Sequence, residues 1–174
     1  MTSLRRLAIP SPACVLLLGL AAPAVAQETE PVRARYTKYE YRIPMRDGVR
    51  LFTSVYVPKD AGPGRLYPIL LTRTPYDVAP YGSDAYRESV GPSTAAQKEG
   101  FIFVYQDVRG RYMSEGEFVD VRPYNPAKGP KDIDESSDAW DTIDWLREKH
   151  RSGAGAERLL FLRCDHSNKR CCEM

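Results

Sequence analysis

Cysteine is missing from the whole stretch between residues 27 and 163. After Cys14 the chain has only Cys164, Cys171 and Cys172, all in its last eleven positions. A chain with no cysteine through its body does not rest its core on disulfides. The group Cys164, His166, Cys171 and Cys172 has the spacing C-x-H-x4-C-C, which is not a common zinc arrangement, so no metal or other cofactor is expected. Charge of one sign is also missing: 25 basic residues face 23 acidic ones, and Arg5 and Arg6 alone account for the difference. Without a basic patch there is no case for a nucleic-acid partner. Nor is there an unbroken apolar run of the ~20 residues that a stable membrane anchor needs.

What stands at the start is a leader. Arg5 and Arg6 form a positive segment, Val15-Leu16-Leu17-Leu18-Gly19-Leu20 an apolar one, and Ala24-Val25-Ala26 a small-residue cleavage site before Gln27. Pro10, Pro12 and Pro23 bracket an apolar run too short to span a bilayer, and Cys14 precedes it, which speaks against a lipoprotein. Residues 1–26 are therefore expected to be a signal peptide. The product would be exported, to the periplasm or outside the cell, after cleavage near Ala26.

Residues 27–35 read as a polar lead-in without periodicity. The Tyr-rich run 36–43, the turn signal Asp47-Gly48 and the run 49–57 predict a hairpin closed by Pro58. Continuous apolar character predicts buried strands at 67–72 and 101–106, with a short helix around 93–99 stopped by Gly100 between them. Over 134–150, Asp134, Ser136 or Ser137 can cap a helix whose apolar stripe is Ala139, Trp140, Ile143 and Leu146. The acids Asp132, Asp134, Glu135 and Asp138 lack the turn glycine and closing glutamate of a calcium loop and read as cap and solvated face. A hairpin followed by strand, helix, strand and helix predicts an α/β domain with a largely parallel sheet, whose ligands gather at the strands' carboxyl ends, Arg73–Asp77 and Asp107–Arg111.

Four blocks in order, "YRIPMRDGVRLFTSVYVP", "PILLTRTPYDV", "FIFVYQDVRGRYMSEGEF" and "DESSDAWDTIDWL", resemble the amino-terminal part of one family over residues 36–146. This family contains cocaine esterases, α-amino-acid ester hydrolases, cephalosporin acylases and Xaa-Pro dipeptidyl-peptidase-like enzymes. The Asn-Pro-rich loop at 122–131 and the leader tilt the resemblance toward the α-amino-acid ester hydrolases. It implies the amino-terminal part of an α/β-hydrolase fold over residues 36–149. It also implies an exported serine hydrolase acting through an acyl-enzyme on small-molecule esters or amides of the amino-acid or β-lactam class.

In the resembled family one oxyanion-hole donor is the phenol of a Pro-Tyr-Asp motif, which matches Tyr76 between Pro75 and Asp77. A phenol has a proton to give at neutral pH and a rigid ring to aim it. Asp77, Asp107, Arg109, Gly110 and Tyr112 are expected in structural, supporting roles. Among these, Asp107 and Arg109 are expected to pair across the turn at Gly110.

The pattern breaks near residue 147. Leu159-Leu160-Phe161-Leu162 could form a fifth strand, but no G-x-S-x-G elbow follows it. Asp165, His166 and Ser167 are too close in sequence to form a triad, because adjacent residues cannot converge in the required geometry. Both histidines, all three later cysteines and an excess of basic residues fall in the final stretch. Residues 150–174 are accordingly expected to be a divergent tail, produced by a frameshift or premature stop, on a chain without its own nucleophile. The alternative reading is a non-catalytic remnant or binding domain.

Overall fold

The computed structural model describes residues 31–120, 122–151 and 159–164, with positions 150–151 and 159–164 described by their backbone only. Residues 1–26, where a signal peptide is expected, and Ser152, Asp165, His166, Ser167, Cys171 and Cys172 lie outside the described residues, and of Cys164 only the backbone is described. Four helical or extended segments precede the first crossover: α1 (Val32–Arg35), β1 (Tyr36–Pro44), β2 (Arg50–Pro58) and β3 (Ile69–Thr74). They are followed by α2 (Thr94–Glu99), β4 (Ile102–Asp107), α3 (Glu135–Arg151) and β5 (Leu159–Cys164).

The strands form one sheet in the order β1-β2-β4-β3-β5. β1 pairs antiparallel with β2, and β2 antiparallel with β4, while β3 runs parallel to both β4 and β5. The hairpin turn closes with Gly48 N–H on Met45 O at 2.9 Å and Met45 N–H on Val49 O at 2.8 Å. Asp47 Oδ1 accepts from Val49 N at 3.2 Å, an Asx turn that stiffens it.

Strand parity sorts the side chains. Leu51, Val55, Ile69, Leu71, Ile102 and Val104 face α3 and pack with its Leu146. Tyr36, Tyr56 and Phe103 face the other way, where Val32 and Val90 cover them. The lead-in read as polar and aperiodic thus includes a helical turn at Val32–Arg35, with Val32 buried. One apolar residue at the right place suffices for that, and periodicity over so short a piece cannot show it.

β3 lies two residues later than the stretch 67–72. Pro68 has no N–H to give a ladder, so pairing starts at Ile69. It continues through Arg73, whose buried side chain is held by polar partners described below. α2 has Ser93 as its N-cap, accepting from Ala96 N at 3.2 Å, and ends at Gly100 with φ 87°, where a side chain would strike the Tyr67 ring.

α3 begins with a reciprocal cap. Asp134 Oδ1 accepts from Ser137 N at 2.7 Å, and Ser137 Oγ accepts from Asp134 N at 2.8 Å. The stripe expected on α3 is wrong at one position. Trp140 is 56% exposed, whereas Asp138 and Thr142 are buried beside Ala139 and Leu146. The helix turns a polar edge to the sheet because polar groups wait there, and Trp140, about 100° further round from Ala139, faces outward.

Candidate active site at the carboxyl edge

The loops leaving β3 and β4 are bound to each other. Val108 N–H donates to Thr74 O at 3.1 Å, Val78 N–H to Asp107 Oδ1 at 3.1 Å, and Arg111 Nε to Pro75 O at 3.0 Å. Pro75 ends β3, since it has no N–H to offer. Tyr76 N–H turns back onto Thr74 Oγ1 at 3.0 Å, and Asp77 Oδ1 accepts from Ala79 N at 3.0 Å. Both ends of the Tyr76-Asp77 step are therefore fixed by short local bonds. Tyr76 itself, by contrast, is 67% exposed, two residues past the carboxyl end of β3.

Asp107 is buried at the end of β4 and is fully engaged. Its Oδ1 takes Val78 N, and its Oδ2 takes the Tyr81 hydroxyl at 3.0 Å and Met113 N at 3.4 Å. Burial pushes its carboxyl above the usual range, and the hydrogen bonds offset this only in part. Burial, then the charge of Asp107, raises the Tyr81 phenol well above its ordinary value. The Asp107 carbonyl accepts from Ser114 Oγ at 2.6 Å, which carries the following loop back against β2 through Phe52 N–H on Ser114 Oγ at 2.8 Å.

Asp107 and Arg109 do not pair. Asp107 is the last residue of β4 and bonds Tyr81; Arg109 lies past the strand's end, free of its alternation, and turns toward α3 and the hairpin. Its Nη2 and Nε meet Asp138 Oδ1 and Oδ2 at 2.7 and 3.1 Å, and its Nη1 meets Asp47 Oδ2 at 2.7 Å. Gly110 sits at φ 68°, and a Cβ there would lie 2.1 Å from Phe118 N. No residue with a side chain fits so close an approach. Tyr112 holds φ 47° with its ring exposed. The Arg111 guanidinium lies over the rings of Tyr112 and Phe118 at 5.2 and 5.0 Å.

Beneath this edge lies a buried polar layer that sequence reading missed. Arg73 Nε donates to Gln106 Oε1 at 2.8 Å and its Nη1 to the Glu135 carbonyl at 2.9 Å, while its Nη2 stands 3.6 Å from Asp138 Oδ2. Gln106 Nε2 reaches Thr53 Oγ1 at 3.0 Å and Thr142 Oγ1 at 2.9 Å. The signal was present: Arg73 and Gln106 are polar residues at inward parity in otherwise apolar strands, so each had to find partners. The layer ties the start of α3 to the ends of β3 and β4, and so fixes the platform from which Tyr76 projects.

Among the described residues no group of three or more His, Cys, Asp or Glu side chains is placed to hold a metal ion. Asp134 serves α3 instead. Burial acts to raise its carboxyl, but hydrogen bonds from Lys128, Ser136, Ser137 N and Asn125 N outweigh it and hold the group far below the usual carboxylate range. No helix among the described residues is long and apolar enough to cross a membrane.

Comparison with known proteins places these features. The sequence model of the family described as X-Pro dipeptidyl-peptidase (S15 family) matches residues 47–168, so the match runs past residue 146, where the resemblance was read to end. Cocaine esterase of Rhodococcus sp. (strain MB1 Bresler) is 38% identical over 109 residues, 62% of this chain and 16% of that protein. An α-amino acid ester hydrolase structure is 39% identical, with TM-score 0.52, over 80% of this chain and 22% of its own. An aminopeptidase structure from a marine sediment Thaumarchaeota archaeon is 36% identical, with TM-score 0.52, over 66% and 19%. The chain thus spans 16 to 22% of the length of these three relatives. Its sheet and helices are the amino-terminal part of an α/β-hydrolase-like fold.

Proposed function

Because the chain belongs to the X-Pro dipeptidyl-peptidase (S15) family of esterase and peptidase hydrolases, we propose that it carries the oxyanion side of a serine-hydrolase site that cleaves acyl esters or amides. Tyr76 is the donor. The observation that carries this reading is the contrast at that residue: an exposed phenol at the carboxyl end of β3, on a backbone fixed at Thr74, Asp77 and Pro75. Serine attack on the substrate carbonyl turns its oxygen into an alkoxide, and a fixed O–H aimed at that position lowers the barrier by ~3–4 kcal/mol. Collapse expels the alcohol or amine and leaves an acyl-enzyme, which water then hydrolyses. The substrate in this reading is a small-molecule ester or amide, and the protein is exported by the segment ending at Ala26.

A second reading is a non-catalytic remnant or binding domain, supported by the absence of a G-x-S-x-G among residues 1–174. The chain by itself then turns nothing over. Purified chain given p-nitrophenyl acetate or an α-amino-acid methyl ester tests this. Hydrolysis at background is expected, and turnover abolished by a serine-directed phosphonate would refute the remnant reading. The role of Tyr76 is tested in a chimera in which residues 36–146 replace the matching part of the Rhodococcus cocaine esterase. Tyr76→Phe should lower kcat by ~10²–10³-fold; a chimera that keeps its kcat without the hydroxyl would rule the donor role out.

A further inference from the structure

The side chain of Lys38, in the first half of β1, is wholly buried. Its Nζ donates to the carbonyls of Pro80, Gly82 and Ala85 at 2.6, 2.9 and 3.0 Å, and lies 2.8 Å from Glu40 Oε1. Glu40 Oε1 also accepts from Gly82 N at 2.8 Å. The Tyr56 ring lies 5.9 Å from Nζ, and the Lys38 N–H donates to Tyr86 Oη at 3.0 Å. Four oxygens, one of them anionic, thus converge on a single positive charge. Three neutral carbonyls and one carboxylate match a monovalent ion in charge, and carbonyl rings of this kind replace a hydration shell.

We propose that these four oxygens form a monovalent-cation site that the chain fills with its own Lys38 ammonium, and that this tethered cation positions the loop running from Tyr76 to Tyr86. Two of the carbonyls it gathers belong to Pro80 and Gly82, the neighbours of Tyr81, whose hydroxyl donates to Asp107. Lys38 and Asp107 therefore clamp residues 80–82 between β1 and β4. The cation site stands without the reading of Tyr76 as oxyanion donor; only its catalytic consequence rests on that reading. Lys38 is a positioning residue, since it touches the loop and not the reacting atoms.

The test is chemical rescue in the full chain. Lys38→Ala empties the site while keeping its four oxygens. Thermal unfolding is followed in potassium, ammonium and tetramethylammonium chloride at matched ionic strength. The variant should melt several degrees below the parent in tetramethylammonium, an ion too large to enter, and should recover at least half of that loss in ammonium or potassium. The parent should melt alike in all three. A variant indifferent to the choice of cation overturns the proposal. If Lys38→Ala does not fold, Lys38→Met fills the channel without the charge. Amides 78–86 should then exchange about tenfold faster while those of 103–106 stay protected, and unchanged exchange at 78–86 overturns it equally. Tyr76→Phe should leave both readouts where they are, so failure here and failure of the oxyanion reading are separate results.

Discussion

Arg109 grips Asp138 with two prongs, both side chains being almost wholly buried, and the same guanidinium reaches Asp47 in the hairpin turn at 2.7 Å. One arginine thus joins β4's loop, α3 and the β1–β2 turn. Removing Asp138 leaves Arg109 short of a partner and Arg73 with Glu135 as its remaining carboxylate. Asp138→Ala should cost about 3–5 kcal/mol, the range for breaking a buried pair. Asp141→Ala, which breaks the more exposed pair with Arg46, should cost clearly less. Urea midpoints of the two variants check this, and equal losses would contradict it.

Asp134 gives the fold an acid-sensitive point. Its carboxyl is held far below the ordinary range in the folded chain, so its contribution is present above the unfolded value of ~4 and is lost as pH falls toward the folded one. Asp107 has the opposite sign: its raised value favours the folded state at low pH, and that contribution is lost as pH rises from the ordinary carboxylate range through the folded value. Asp134→Asn should flatten the fall in stability below pH 5, and Asp107→Asn should steepen it. Denaturant midpoints from pH 7 to 3 that run parallel to the parent for both variants would count against this assignment.

Gly110→Ala is expected to destabilise by about 2–4 kcal/mol, from the left-handed backbone together with the collision at Phe118. Gly82→Ala has a similarly positive φ but open space around its Cβ, and should show the smaller, conformational part alone. Equal melting temperatures for the two variants would remove the packing contribution.

Two tyrosines near the sheet edge should respond unequally to loss of the hydroxyl. Tyr76→Phe should change the stability of the chain by less than about 0.5 kcal/mol, because the ring is exposed. Tyr81→Phe withdraws a donor from buried Asp107 and should cost about 1–3 kcal/mol. Paired unfolding curves decide it, and a large loss at Tyr76 would mean that its hydroxyl serves the fold.

Much of the frame could be read in the sequence because its signals are local. Asp47-Gly48 announced the hairpin, Gly100 the end of α2, and the group Asp134, Ser136 and Ser137 the cap of α3, where Asp134 and Ser137 bond each other. What escaped was decided across the chain. Arg73 finds Gln106 and Glu135, and Arg109 finds Asp47 and Asp138, at separations that no spacing rule within one element can see. Trp140 was misread for the same reason, since hydrophobicity alone does not reveal that the sheet offers α3 polar groups, Arg73 and Gln106, beside its apolar face. Lys38 was half legible: it shares parity with buried Tyr36 on β1, and its charge argued against the inward position that its place in the strand required.

The order β1-β2-β4-β3-β5 also has a consequence in time. A ribosome delivers β3 long before its second neighbour, since Ile69 must wait for Leu159. Until that segment emerges, β3 has an unpaired side, and Leu70, Leu71 and Thr72 lie along it open to any passing strand. The interval is one of chaperone dependence. Slowing translation between β4 and β5 should lengthen it, and the yield of soluble chain would record the difference.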